Sequence, residues 1–107
     1  MAEPVLDLSE IIGLYKIDAR AMAEKMQAAL ARWEEVRLGG MARQELRRLS
    51  HQLRGSGRTY GFKDVTRVCK AMENIVQKIE KNRLEPDARA QDSLRRKIDR
   101  LVAIFAV

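Results

Sequence analysis

Hydrophobic residues recur every three or four positions along the chain, which is the spacing of one face of an α-helix. This pattern predicts five helical segments, over residues 7–15, 18–38, 41–60, 63–81 and 86–105. Asp7 and Glu10 have the spacing of a capping box at the first start. Pro86 suits the first turn of the last segment, while Gly39-Gly40 and Gly61 suit helix ends.

Each of the last four segments carries one apolar stripe, and the linkers between them are short. Short linkers favour antiparallel neighbours, so the chain is predicted to be all-α, an antiparallel up-down four-helix bundle. Residues 7–15 are predicted to form a short N-terminal capping helix. The 107 residues are expected to form one domain. The stripes of the second, fourth and fifth segments contain Met22, Met26, Ala29, Leu30, Trp33 and Val36, then Val65, Val68, Cys69, Met72, Val76 and Ile79, then Leu94, Ile98, Leu101, Val102 and Phe105.

The composition indicates the type of partner and the cellular location of the protein, but it does not identify the function. The net charge of +6 predicts attraction to acidic partners, whether nucleic acid, anionic lipid or an acidic protein face. No apolar run approaches the roughly 20 residues of a membrane span, and no signal peptide is evident. Cys69 is the only cysteine, which excludes an internal disulfide and favours a cytoplasmic location. We expect a monomer, and the start at Met1 favours a free-standing protein.

The single histidine, His51, lies in the third segment. On a helical wheel of roughly 100° per residue, the predicted core stripe falls opposite it and comprises Ala42, Leu46, Leu49, Leu53, Ser56, Gly57 and Tyr60. Ser56 and Gly57 would permit close approach of a neighbouring helix. The residues gathered around His51 are Arg47, Arg48, Arg54, Gly55 and Arg58. The imidazole is therefore predicted to face solvent within a positive patch.

Gly55 is unexpected on the exposed side of a helix. A mid-helix glycine costs roughly 1 kcal/mol relative to alanine, and here it gains no core packing. The missing side chain indicates that something large must approach His51. A neutral, exposed imidazole is a good nucleophile, and nearby arginines would offset the charge of an attached phosphoryl group. This arrangement suits a histidine that carries an anionic group and transfers it to a partner.

Other chemistries fit the sequence poorly. One histidine and one distant cysteine are not a metal-ligand set, so no metal site is predicted. Cys69 lies on a core stripe of another segment, which argues against a Cys–His nucleophile. No Walker or kinase glycine loop is present, so ATP binding is not expected.

The stretch that begins at His51 resembles the histidine-containing phosphotransfer (Hpt) domains of phosphorelays. Their signature has an apolar residue at +2 from the histidine, Lys at +3, Gly at +4, a small residue at +5 and Gly at +10. The matching positions are His51, Leu53, Arg54, Gly55, Ser56 and Gly61. With "VLDLSEIIGLY" and "DVTRVCKAMENIV", the resemblance covers residues 5–80 approximately. Arg54 replaces the usual Lys, and we expect transfer rate or partner choice to reflect that change.

The resemblance implies that His51 accepts a phosphoryl group on Nε2 from a receiver-domain aspartyl phosphate or a kinase, and passes it to an aspartate of a response regulator. The expected partners are response-regulator receiver domains and sensor or hybrid histidine kinases, with no nucleic acid and no membrane. The chain would be a carrier without kinase activity and without a bound cofactor, since the receiver would supply the acidic pocket and Mg²⁺. The neighbouring residues are assigned phosphoryl stabilisation (Arg54, Arg58) or partner clearance and docking (Gly55, Arg47, Arg48, Gln52).

Two alternatives stay open at this point. The chain could be an interaction module of the same fold that docks receivers or kinases without carrying phosphate. It could also bind nucleic acid through the basic helix "RQELRRLSHQLRGSGR". Against the second alternative, the leucines of this helix face the predicted core and exposed aromatic residues are lacking. A steep salt dependence of DNA or RNA binding would favour it.

Overall fold

The computed structural model describes residues 7–35, 40–81 and 88–106. These residues form α1 (Leu8–Glu35), α2 (Gly40–Thr59), α3 (Lys63–Lys81) and α4 (Ala88–Phe105), with no strand among them. The predicted all-α class is therefore confirmed. None of these four helices combines the length and the apolar character needed to cross a membrane.

Contacts between neighbouring helices show that they run antiparallel. Near the start of α1, Tyr15 stacks on Tyr60 just beyond the end of α2, with 4.4 Å between the ring centroids. Near the other end of α1, Arg32 donates to Glu45 in the first half of α2 at 2.9 Å. The same reversal relates α2 to α3 and α1 to α4, as in the pairs Arg47–Glu80, Arg54–Glu73, Gln27–Asp99 and Tyr15–Phe105. The four helices form the predicted up-down bundle.

The core contains most of the residues that the hydrophobic stripes predicted. On α3 and α4 every predicted position is buried, except Val68 and Val102, which pack partly buried against the core. On α2 the stripe is buried from Ala42 to Gly57, although Ser56 is half-buried and Tyr60 remains 38% exposed. The predicted positions Val36 and Pro86 lie outside the described residues.

The prediction of a separate capping helix over residues 7–15 is wrong, because α1 runs without interruption from Leu8 to Glu35. Asp7 does cap this helix, since its carboxylate accepts the Glu10 N–H at 2.9 Å. Residues 16–18, where a break was expected, contain neither glycine nor proline. The buried positions Tyr15 and Ala19 lie one turn apart across this stretch, so the apolar face continues through it.

A tight turn joins α2 to α3 and was predicted from Gly61. This glycine has a φ of +82°, the left-handed conformation that residues with a β-carbon rarely adopt. The Phe62 N–H donates to the Gly57 carbonyl at 2.8 Å, which satisfies a carbonyl in the last turn of α2. The Phe62 ring packs back beside Tyr15 and Phe105, with centroids 5.3 and 5.8 Å away. The turn therefore fixes the direction in which α3 leaves α2.

Gly57 allows α2 and α3 to approach each other closely. A β-carbon placed on it would lie 3.1 Å from Cγ1 and 3.3 Å from Cβ of Val65, and 3.2 Å from the Thr66 hydroxyl. Val65 is completely buried, and its Cβ can move only with the backbone of α3. The prediction that this glycine permits close helix packing is confirmed. By contrast, a β-carbon on Gly55 would have no atom within 4 Å.

Replacing these two glycines by alanine should change stability in opposite directions. Gly57→Ala should lower the free energy of unfolding by about 1 kcal/mol, because overpacking costs about 1–3 kcal/mol and exceeds the gain in helix propensity. Gly55→Ala should raise it by about 0.5–1 kcal/mol, because the propensity gain meets no steric cost. Urea denaturation of both variants and the parent measures the difference. A stabilising Gly57→Ala would contradict the close packing described above.

Candidate functional site

His51 projects from the exposed side of α2, as the helical wheel predicted. Its side chain is 68% exposed, whereas Leu46 and Leu53 on the opposite side of the helix are fully buried. The imidazole therefore lies at the surface of a helix whose opposite face is anchored in the core. This placement makes one edge of the ring available to a partner.

The other edge of the ring contacts a carboxylate on α3. The Nδ1–H of His51 donates to Glu73 Oε1 at 2.8 Å, and Arg54 Nη1 donates to Glu73 Oε2 at 2.7 Å. Glu73 itself is only 6% exposed. A buried carboxylate is costly without hydrogen-bond partners, and here both of its oxygens have one. Glu73 thus connects the exposed histidine to the core of the bundle.

The contact with Glu73 determines which ring nitrogen of His51 carries the proton. A carboxylate held by an arginine only accepts hydrogen bonds, so Nδ1 must be the donor in the 2.8 Å contact. Arg54 Nη2 also lies 3.5 Å from Nδ1, but an arginine cannot accept a proton from it. In the neutral ring Nε2 is then left with a free lone pair. Nε2 is the nitrogen able to act as a nucleophile.

The packing of α3 explains why Glu73 reaches this position. Glu73 follows Cys69 by four residues and precedes Val76 by three, so it shares their buried face. Burial raises the pKa of the Cys69 thiol to about 12, with a smaller contribution from the nearby Glu73 charge. Cys69 therefore stays protonated and packs as a core residue, which agrees with the argument against a Cys–His nucleophile.

A solvent-open groove of about 930 Å³ runs from His51 between α2 and α3 toward the Gly61 turn. The lining residues from α2 include three of the predicted site residues besides His51, namely Arg54, Gly55 and Arg58. The lining residues from α3 are Lys63, Thr66, Arg67 and Lys70. The groove is thus bordered mainly by cationic side chains, and the histidine lies at one end.

The remaining predicted docking residues lie outside this groove. Arg47 donates to Glu80 at 3.1 Å, on the side of α2 that faces α3. Arg48 donates to the side-chain oxygen of Gln52 at 3.4 Å, and both residues are exposed. Arg47 and Arg48 precede His51 by about one turn, away from the Gly61 turn, and Gln52 follows it directly.

Residues 10–104 match the family model of the Hpt domain. The chain belongs to the Hpt domain family. Membership assigns the protein to histidine phosphotransfer in two-component signalling, where Hpt domains act as phosphocarriers between receivers and kinases. Searches of curated proteins and of solved structures found no match to the chain.

The contact that organises this Hpt domain was not predicted from the sequence. The segment containing Glu73 contributed to the resemblance, but no role was assigned to the residue. Its position carried a usable signal, since a single carboxylate within the apolar stripe of α3 must find a cation or a donor when buried. The α3 cations Lys63, Arg67 and Lys70 were missed as well, because wheel analysis treats one helix at a time.

No group of three histidine, cysteine, aspartate or glutamate side chains that could hold a metal ion occurs in the described parts of the chain. His51 and Cys69 also lie in different environments, one exposed and the other in the core. The site described here therefore consists of an imidazole, a buried carboxylate and a cationic groove.

The Glu73 contact should be visible in the tautomer of His51. At alkaline pH, where histidine side chains are neutral, ¹⁵N chemical shifts should show Nδ1 protonated and Nε2 unprotonated. Glu73→Leu removes the acceptor, so the proton should redistribute between Nδ1 and Nε2. Glu80→Leu is the matched control, because Glu80 pairs with Arg43 and Arg47 and not with His51. The same tautomer ratio in the parent and Glu73→Leu would contradict the assignment.

Proposed function

We propose that His51 is the phosphorylated residue of this Hpt domain. It accepts a phosphoryl group from the aspartyl phosphate of a receiver domain, or from a kinase, and passes it to an aspartate of a response regulator. The observation that carries the proposal is the Nδ1–Glu73 hydrogen bond at 2.8 Å, which leaves the exposed Nε2 unprotonated. His51 is also the only histidine in the sequence.

In the proposed step the Nε2 lone pair attacks phosphorus in line with the bond to the aspartyl oxygen. The N–P bond forms, the P–O bond breaks, and the receiver carboxylate leaves with the electron pair. Phosphorylated at Nε2 and protonated at Nδ1, the imidazole ring is cationic. Glu73 would stabilise that charge, as the carboxylate does for the imidazolium of a catalytic triad. Transfer to the next receiver is the reverse reaction.

Arg54 has a different role in this proposal from the one that its spacing suggested. Its guanidinium is bound to Glu73 and lies near Nδ1, on the edge of the ring away from Nε2. It would hold the carboxylate in place and so act on the phosphoryl group through Glu73 and His51. Arg58 lines the groove that begins at His51, and it would offset the charge of the phosphoryl group directly.

The remaining chemistry is assigned to the partner. A receiver domain would supply the acidic pocket and the Mg²⁺ that stabilise the transferring group, so this chain needs no cofactor. Gly55 follows His51 by one turn, and a side chain there would extend into open space beside the imidazole. Its absence would leave room for the loops that surround the receiver aspartate.

Substitution of His51 tests the proposal directly. Wild-type protein should be labelled both by phosphoramidate and by phosphorylated receiver domains, and the label should be acid-labile and base-stable. His51→Gln should abolish labelling by both donors because no other imidazole is present, while far-UV circular dichroism stays unchanged. Undiminished labelling of His51→Gln would overturn the proposal. A folded wild-type protein that binds receivers but accepts no label would instead be a docking module.

A further inference from the structure

We propose that the groove between α2 and α3 docks an acidic rim of the receiver domain, beside its phosphorylation pocket, and that Lys63, Arg67 and Lys70 select this partner. The inference rests on the proposed phosphotransfer at His51. It adds a specificity surface on α3 to the catalytic contact on α2.

Several cations of the groove have no ion-pair partner in the part of the chain that the structure describes. Among the described residues, Arg58, Lys63 and Lys70 have no carboxylate within ion-pair distance. Arg67 reaches only Asp64, with 4.0 Å between the charged atoms, and its side chain is 80% exposed. Like charges held along one groove repel each other, so an acidic surface placed over them would relieve that repulsion.

Positive charge on the other side of His51 is partly offset, because four arginines there share the carboxylates of Glu45 and Glu80. Arg43 and Arg47 both pair with Glu80, at 3.3 and 3.1 Å. Arg48 lies 4.0 Å from Glu45. Exposed pairs contribute little to stability, but they cancel much of the local field. The groove cations Arg58, Lys63 and Lys70 lack even this partial compensation among the described residues.

The cations of the groove lie where they can affect phosphoryl transfer at His51. His51 and Gly55 line the same groove as the α3 cations, so a protein that contacts His51 over Gly55 must also cover part of the groove. The close packing at Gly57 and the turn at Gly61 place the backbone of α3 directly against α2. The cations thus share one face beside His51, and a receiver with acidic residues opposite them should associate faster than one without.

The test uses the double variant Lys63→Glu/Arg67→Glu, whose residues are exposed and do not contact Glu73. Arg89→Glu is the control for a charge reversal away from the groove. Arg89 is exposed near the start of α4, at the end of the bundle opposite the Gly61 turn. Each variant is assayed with phosphoramidate and with the receiver domain that transfers fastest to wild type, over a range of ionic strength.

Receiver-driven transfer to the double variant should fall about tenfold in kcat/KM at low salt, and its dependence on ionic strength should weaken. Labelling by phosphoramidate should not change, because a small donor needs only His51. Arg89→Glu should behave as wild type with both donors. Reversing the acidic rim of the receiver to lysine should restore transfer to the double variant.

Equal receiver-driven rates for the double variant and Arg89→Glu would overturn this inference while leaving phosphotransfer intact. Failure of phosphoramidate to label wild-type His51 would instead overturn the proposed function, and this inference with it. Salt-sensitive binding of duplex DNA, lost in the double variant without any change in receiver transfer, would identify the groove as a nucleic-acid surface and also contradict the inference.

Discussion

The site depends on one buried carboxylate. Glu73 lies on the buried face of α3. It accepts hydrogen bonds from His51 Nδ1 at 2.8 Å and from Arg54 at 2.7 Å. Exposed ion pairs contribute little and tolerate many geometries, whereas a buried carboxylate is costly unless both oxygens are satisfied. Glu73 therefore constrains the imidazole, the arginine and the spacing of two helices together. The fold around it has to bring α2 and α3 close enough for that contact.

Two glycines in and after α2 make this spacing possible, and neither is part of the chemistry. Gly57 removes the β-carbon that would separate α2 from α3, and Gly61 adopts the positive φ that turns the chain into α3. The rings of Tyr15, Phe62 and Phe105 fill the end of the bundle beside this turn. The site of this Hpt domain thus depends on the packing of α2 against α3 as well as on the histidine. The exposed Nε2 is a consequence of that packing.

Helical periodicity predicted the outward direction of His51, short linkers predicted the bundle, and Gly61 indicated the turn, because each signal is local in the sequence. These local signals failed where the outcome depends on contacts between segments. The expected break after Tyr15 did not occur, since the buried face of α1 continues from Tyr15 to Ala19. Likewise, no property of α2 alone indicates that Arg54 binds a carboxylate 19 positions along the chain, on a helix packed beside it.

The position of the phosphoryl group on His51 tests the central claim most directly. Protein labelled with ¹⁵N in its histidine ring is phosphorylated with phosphoramidate, and the ring nitrogen bonded to phosphorus is identified by phosphorus–nitrogen coupling in NMR spectra. Because Glu73 holds the proton on Nδ1, the account predicts coupling to Nε2 alone. Coupling to Nδ1 would contradict it, since that nitrogen could not bind phosphorus while donating to Glu73.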